Sequence, residues 1–151
     1  MQKQVKVIAV DQSPEMLHHM AEKFKGNELL ICLQGEAEHI PIGDNTVDYC
    51  MANMFLHHVA DPLVAIREMV RILKPQGKLV ITDMDEHAHE FLKSEQYDIW
   101  MGFKRIDVQR WFLEAGLKNV RVDCAGETCC AESSCGSDIA NVSIFVAYGE
   151  K

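Results

Sequence analysis

Short apolar runs and amphipathic segments alternate along almost the whole chain. The apolar runs have the length and residue types of buried strands, and they are predicted over residues 5–10, 29–33, 47–52, 79–82, 118–124 and 141–148. Helical spacing of apolar residues predicts helices after Ser13, after Asp61 and over residues 107–115, and the charged segment 83–97 is predicted to hold a loop and a helix. Strands that alternate with helices are typical of a parallel sheet covered on both faces.

Two helix starts are clear from local chemistry. Ser13 and Asp61 can each accept a hydrogen bond as an N-cap, and each is followed by a proline at the first helical position. The last two predicted strands alternate apolar and polar residues, which suits an antiparallel hairpin at the sheet edge. The sequence therefore predicts an α/β, Rossmann-like three-layer sandwich with a mostly parallel sheet and a C-terminal antiparallel hairpin.

Composition narrows this picture. The chain has 151 residues and 48% hydrophobic content, which favours a single domain, residues 1–151. It carries 15 Lys and Arg against 23 Asp and Glu, a net charge of -8, which disfavours nucleic acid as a partner for this segment. The apolar run after the N-terminus is too short for a signal peptide or a membrane span, so we expect a cytoplasmic protein without membrane contact.

Asp11 ends the first predicted strand. In a doubly wound sheet, an acid at the end of the second strand can accept hydrogen bonds from a ribose diol, and a Gly-rich turn lies about 20 residues earlier. That spacing runs off the start of this sequence. We therefore predict that the first strand and its Gly-rich loop are missing from this chain, which would be an N-terminally truncated domain. On local pattern alone, Asp11 could equally be a solvated strand end.

Four ordered blocks resemble a known family. They are residues 7–16, the block 35–41 with Asp44 and Asp48, the block 56–59 before Asp61 and Pro62, and residues 71–81. The chain is similar there to class I S-adenosylmethionine-dependent methyltransferases, especially quinone-biosynthesis and arsenite methyltransferases and the methyltransferase domains fused to winged-helix repressors. The helix-turn-strand of 71–81 is the most specific block.

The resemblance implies a set of cofactor-binding residues for S-adenosylmethionine. Asp11 would hold the ribose diol, and Gln12 would pack near the adenine. Glu36 would accept from the adenine amino group, the backbone of Ala37 would face the ring, and Asn53 would lie near the methionine part. A carboxylate is a good acceptor for an exocyclic amine, so the role of Glu36 is chemically sensible.

The missing first strand has a structural consequence. In the family's strand order it lies between the strand that ends at Asp11 and the strand that ends near Ala52, so its absence leaves two unpaired edges. Three outcomes are open: a second copy or a partner chain supplies a strand, the flanking strands pair directly, or the chain is a fragment of a longer protein. We expect a homo-oligomer or a partner chain.

His57 and His58 follow the fourth strand of the family fold, where residues face the transferred methyl group. A histidine there could act as a general base if the acceptor must lose a proton. The favoured interpretation is instead that the pair caps the next helix or packs beneath the cofactor. A second group of residues of metal-binding types follows the predicted strand 79–82: Asp83, Asp85, His87, His89 and Glu90. They could bind a divalent metal, but the favoured interpretation is that they are solvated charges.

Four cysteines fall between the two C-terminal strands. Cys124, Cys129, Cys130 and Cys135 could bind zinc or a soft metalloid, although the spacing lacks the paired C-x2-C of a zinc ribbon. An exposed, oxidation-prone loop is the equally weighted alternative.

Together these features favour an S-adenosylmethionine-dependent methyltransferase with a small-molecule or metalloid acceptor. The alternative is a non-catalytic truncated module that senses a metal or metalloid through its C-terminal cysteines. A nicotinamide-dependent oxidoreductase is a third option, which the Glu36 and Lys74-Pro75 blocks disfavour.

Overall fold

The computed structural model describes residues 4–151. They divide into two compact units, residues 4–42 and Gly43–Lys151.

The first unit is a β-α-β element. It contains β1 (Val7–Asp11), α1 (Pro14–Lys23) and β2 (Leu30–Gln34), and the two strands pair in parallel with Val7 opposite Leu30 and Asp11 opposite Gln34. The helix starts as predicted, because the Ser13 hydroxyl accepts a hydrogen bond from the Met16 N–H at 3.3 Å and Pro14 follows the cap. No residue of α1 is buried.

The second unit is built on a four-stranded sheet with three α-helices. Its strands are β3 (Val47–Asn53), β4 (Leu73–Met84), β5 (Lys118–Glu132) and β6 (Ile139–Glu150), in the order β3-β4-β6-β5. Its helices are α2 (Pro62–Ile72), α3 (Glu90–Glu95) and α4 (Arg105–Glu114), with a short 3-10 helix at Leu56–His58. β3 and β4 are parallel, whereas β6 is antiparallel to both of its neighbours.

The core of the second unit lies where α2 and α4 meet the sheet. α2 begins at the Asp61 cap, whose carboxylate accepts from the N–H groups of Leu63 and Val64. Its apolar face buries Ile66, and fully buried side chains also come from α4 and from the central strands: Val108, Phe112, Leu79, Ile81 and Phe145. Burial of this apolar surface is the main stabilising contribution to the unit.

This architecture confirms the predicted α/β, Rossmann-like class with its C-terminal antiparallel hairpin. The hairpin is longer than predicted. β5 continues past Cys124 to Glu132 across a register shift between Cys124 and Thr128, and β6 begins at Ile139. The polar, cysteine-rich stretch after Cys124 was predicted to be a loop, and that prediction was wrong for most of it.

Each unit has its own β-sheet, with the order β1-β2 in the first and β3-β4-β6-β5 in the second. Within residues 4–151, β1 pairs with β2 and β3 pairs with β4, and no ladder joins β1 to β3. Direct pairing of the flanking strands is therefore not the observed outcome. Pairing with a second copy or a partner chain stays a prediction.

The helices of this structure are also informative about membranes. In the described part of the chain, no helix has the length and apolar character needed to cross a bilayer.

Candidate functional site

Asp11 lies at the carboxyl end of β1, half-buried. Its Oδ1 accepts a hydrogen bond from the Ser13 N–H at 2.8 Å. This contact fixes the carboxylate at the start of α1. Each carboxylate oxygen can accept more than one hydrogen bond, and Oδ2 is a second acceptor. The carboxylate of Asp11 can therefore still accept hydrogen bonds from two hydroxyl groups.

Glu36 comes just after the point where the chain leaving β2 contacts the end of β1. The Gly35 N–H donates to the Asp11 carbonyl at 3.1 Å, and Glu36 then bridges to His39 in a tight turn. A side chain at position 35 would collide with the ring of Pro41 and press on Val10, so glycine is required for this close approach. Glu36, which is exposed, is therefore the residue next in the chain after the main-chain contact between Gly35 and Asp11.

Gln12 and Ala37 flank these two acids. The Gln12 side chain is exposed, and its carbonyl accepts from Gln34 Nε2 at 3.2 Å. Ala37 is half-buried in the turn after Glu36. All four predicted adenosine-contacting residues thus lie at the carboxyl ends of β1 and β2, the edge at which open α/β sheets bind ligands.

Asn53, in the second unit, ends β3. Its Oδ1 accepts a hydrogen bond from the Thr82 hydroxyl, and Thr82 is its register partner on β4. Met54 follows with a φ of 49°, and its N–H donates to the Thr82 carbonyl at 2.8 Å. Hydrogen bonds therefore join the carboxyl ends of β3 and β4 at Asn53, the residue that the family resemblance assigns to the methionine part of the cofactor.

The two histidines form the short 3-10 helix after β3. His57 is 4% exposed, whereas the His58 side chain is 43% exposed. The interpretation that the pair caps α2 is wrong, because Asp61 is the cap. His57 is instead engaged by Asp83, whose Oδ1 lies 2.6 Å from His57 Nδ1 and whose Oδ2 accepts from the His57 N–H at 3.2 Å.

A second acid completes this cluster, and the sequence analysis did not find it. Asp98 is 4% exposed, and its Oδ1 lies 3.6 Å from His57 Nε2 and 3.7 Å from His58 Nδ1. No hydrogen-bond partner of that oxygen occurs among residues 4–151. Only tertiary structure brings Asp98 to the histidines, so no local pattern in the sequence marks it.

Burial and charge shift the pKa values of this cluster. Burial disfavours the imidazolium of His57, but the hydrogen bond and charge of Asp83, with the charge of Asp98, outweigh it and raise its pKa. Burial raises the pKa of Asp98 against the opposing pull of the nearby histidines. Burial, with His89 nearby, lowers the pKa of His87. These pKa shifts are the ones expected for ionisable groups that are buried close to one another.

The acid and histidine residues after β4 do not form the metal cluster that their spacing allowed. Asp83 faces His57, whereas Asp85 accepts from Arg105 at 2.6 and 2.7 Å and from the Ser143 hydroxyl at 2.5 Å. Over the described chain, the one group of three or more candidate ligands is His57, His58 and Asp98. Asp85 is therefore a structural anchor between β4, α4 and β6.

The four C-terminal cysteines are likewise not brought together as a ligand set. Cys124, Cys129 and Cys130 lie on β5, where the strand spreads them along the ladder, and Cys135 follows the strand. Cys129 packs against an apolar cluster that contains Met84 and Val142, and burial raises its pKa. The predicted zinc or metalloid site at these cysteines has no support in this geometry.

The fold is one that solved structures of methyltransferases share. A phosphoethanolamine N-methyltransferase 2 of Haemonchus contortus, solved with S-adenosylhomocysteine, superposes with a TM-score of 0.78 at 15% identity, over 97% of this chain and 44% of that one. An S-adenosylmethionine-dependent methyltransferase of Aquifex aeolicus superposes with a TM-score of 0.66 at 25% identity, over 96% and 68%.

The sequence comparisons agree with the fold. The family described as a methyltransferase domain matches residues 1–81, and the chain belongs to that family. The uncharacterized protein YafE of Escherichia coli (strain K12) is 35% identical over 97 residues, which cover 63% of this chain and 44% of YafE. A demethylmenaquinone methyltransferase of Staphylococcus aureus (strain JH9) is 30% identical over 142 residues, which cover 77% and 59%. The chain thus spans about half the length of these curated relatives.

Proposed function

We propose that this chain acts in S-adenosylmethionine-dependent methyl transfer, with the first unit binding the adenosine of the cofactor. The observation that carries the proposal is that Asp11 ends one of two parallel strands, opposite Gln34, and that Glu36 follows the Gly35 contact with the Asp11 carbonyl. The fixed Asp11 carboxylate suits a ribose diol, and the exposed Glu36 carboxylate suits an exocyclic amine. When bound, the cofactor supplies an electrophilic methyl group on a sulfonium.

The residues present fit the adenosine half of the cofactor. Asp11 and Glu36 offer acceptors to groups that donate, and the tight turn at Gly35 keeps the chain close to β1. Gln12 and Ala37 would border the base. Asn53, in the second unit, carries an amide of the kind that can bind the amino and carboxylate groups of a methionine moiety.

A small molecule is the proposed methyl acceptor. The matching relative from Staphylococcus aureus is named a demethylmenaquinone methyltransferase, which supports an acceptor of that size. The net charge of -8 also disfavours a polyanionic nucleic acid.

Calorimetric titration with S-adenosylhomocysteine tests the cofactor proposal. We expect binding in the micromolar range, and Asp11→Asn should weaken it by roughly 10-fold to 100-fold, because hydrogen bonds to a charged group contribute about 1.5–3 kcal/mol. Glu28→Gln is a matched control, since it removes an exposed acid just before β2, and it should leave the affinity unchanged. Absence of heat with the folded protein, or equal affinities for the Asp11 and Glu28 variants, would contradict the proposal.

A further inference from the structure

Three side-chain atoms converge in the second unit from two separate segments. His57, His58 and Asp98 each offer one ligand atom, and these atoms lie within 4.8 Å of one another. Asp98 Oδ1 lies 3.6 Å from His57 Nε2 and 3.7 Å from His58 Nδ1. The two histidines come from the 3-10 helix after β3, whereas Asp98 comes from the segment between α3 and α4. Two imidazoles and a carboxylate are a ligand set that divalent transition metals use in proteins.

The Asp98 oxygen is the second observation that indicates a ligand. Its side chain is 2% exposed, and within the described residues Oδ1 accepts no hydrogen bond. The distances of 3.6 and 3.7 Å to the histidine nitrogens are too long for hydrogen bonds. Burying a carboxylate oxygen without a hydrogen-bond partner costs free energy of desolvation, and the two histidines do not compensate for it at these distances. A cation that contacts the oxygen would compensate for it.

The spacing matches a metal coordination shell. Metal bonds of about 2.0–2.2 Å place tetrahedral ligands about 3.4 Å apart. The two distances to Asp98 exceed that value by only a few tenths of an ångström. Side-chain rotation would have to close these gaps and bring the two histidine nitrogens, which lie within 4.8 Å of each other, to the same spacing.

Asp83 orients His57 for this role. Its carboxylate contacts His57 Nδ1 at 2.6 Å, accepts from the His57 N–H at 3.2 Å and accepts from the Met84 N–H at 2.7 Å. With Nδ1 bound to Asp83, Nε2 is the nitrogen directed at Asp98. A carboxylate on the far nitrogen of a ligand histidine is the usual outer contact of metal-binding imidazoles.

The segment that carries Asp98 is fixed against the histidines. The N–H groups of Ile99 and Trp100 both donate to the His57 carbonyl, at 3.0 and 3.1 Å. The Trp100 indole N–H donates to the Val59 carbonyl at 2.9 Å. These contacts hold the carboxylate and the two imidazoles in one rigid arrangement, which lowers the entropy cost of binding an ion.

We propose that His57, His58 and Asp98 bind a divalent transition metal ion, with Asp83 as the positioning residue for His57. Because the His58 side chain is 43% exposed, a fourth coordination position would be open to solvent and to a small ligand. The binding of the ion does not depend on the cofactor, so it is tested separately from methyl transfer.

Titration of the full chain with Co²⁺ tests the proposal, because cobalt bound to nitrogen and oxygen ligands gives a visible absorption band and thiolate ligands add near-ultraviolet charge transfer. The titrated protein carries Cys124→Ser, Cys130→Ser and Cys135→Ser, which remove the exposed thiols and with them adventitious thiolate binding. We expect one ion per chain. Competition with Zn²⁺ should abolish the band.

Variants of the ligands and matched exposed residues separate this site from surface binding. Changes to outer contacts cost about 10-fold to 100-fold in metal affinity, so Asp83→Asn should lose that much, and His58→Gln and Asp98→Asn should lose more. His19→Gln and Asp48→Asn alter exposed residues of the same types and should leave the affinity unchanged. Thermal unfolding with and without Zn²⁺ should show a rise in Tm that Asp98→Asn abolishes.

Several results would overturn the proposal. An unchanged cobalt band in folded His58→Gln and Asp98→Asn proteins would do so, as would a folded parent protein that binds no ion. His58→Gln keeps the test decisive if the buried variants fail to fold, because its side chain is largely exposed. Equal losses in the ligand variants and in the exposed controls would likewise reject the site.

Discussion

The two compact units position their polar groups by different means. In the first unit, the Asp11 carboxylate is fixed by the N–H of Ser13, two residues later, and Glu36 follows a main-chain contact across one parallel ladder. In the second unit, His57 and Asp83 are 26 positions apart and both are buried, and Asp98 lies still further along the chain. The first arrangement depends on local turn and strand geometry, whereas the second depends on a packed core.

The largest expected difference between the units lies in side-chain burial. Phe112 is fully buried on α4, so Phe112→Ala should lower the free energy of unfolding by about 3–5 kcal/mol. Met16 on α1 is 54% exposed, and Met16→Ala should change it by about 0.5 kcal/mol or less. Urea unfolding followed by circular dichroism measures both. Similar losses for the two variants would show that the comparison between the units is wrong.

A smaller effect is expected at Asp85, which links β4 to α4 and β6. Arg105 and Ser143 donate to its carboxylate, and the hydrogen bond from Arg105 lowers the pKa of Asp85 despite partial burial. Hydrogen bonds to charged groups contribute about 1.5–3 kcal/mol, and the partial exposure of Arg105 favours the lower end. Asp85→Asn should therefore destabilise the second unit by an amount near that lower end at neutral pH.

The pH dependence of that difference has a definite sign. Because the folded pKa is depressed, the contribution of Asp85 is fully present above the unfolded value of about 3.9 and is lost as the pH falls through the folded pKa. Urea unfolding of the parent protein and of Asp85→Asn should be measured at a series of pH values. The difference between their free energies of unfolding should disappear only at acid pH. A difference in the free energy of unfolding that stays constant at acid pH, or that grows there, would contradict the role of this carboxylate.

Much of the fold was predictable because its determinants are local. Ser13 and Asp61 cap helices where the sequence placed caps, and the alternation of apolar runs and helical segments predicted the strand and helix order. The hairpin was underestimated, because Gly126 and the polar cysteine-rich stretch look like a loop. Cross-strand pairing from Thr128 to Glu132 extends the strand in spite of that composition.

The candidate sites differ in the same way. The position of Asp11 at a strand end could be predicted from the apolar run before it, whereas Glu36 was singled out only by the family resemblance. The contact of His57 with Asp83 and the approach of Asp98 could not be predicted, because they depend on which segments the core brings together. Spacing in the sequence suggested metal ligands among the residues after β4, but Asp85 is engaged by Arg105 and Ser143 instead.

Recognition of adenine by Glu36 tests the proposed adenosine site. Binding of S-adenosylhomocysteine and of its inosine analogue, which has a carbonyl in place of the exocyclic amine, should be measured calorimetrically in the parent protein and in Glu36→Gln. The parent should prefer the adenosine ligand by about tenfold or more, since its Glu36 carboxylate has a donor to accept from. Glu36→Gln should lose most of that preference. The same preference in both proteins would show that Glu36 does not contact the base, and the proposed adenosine site would then be wrong.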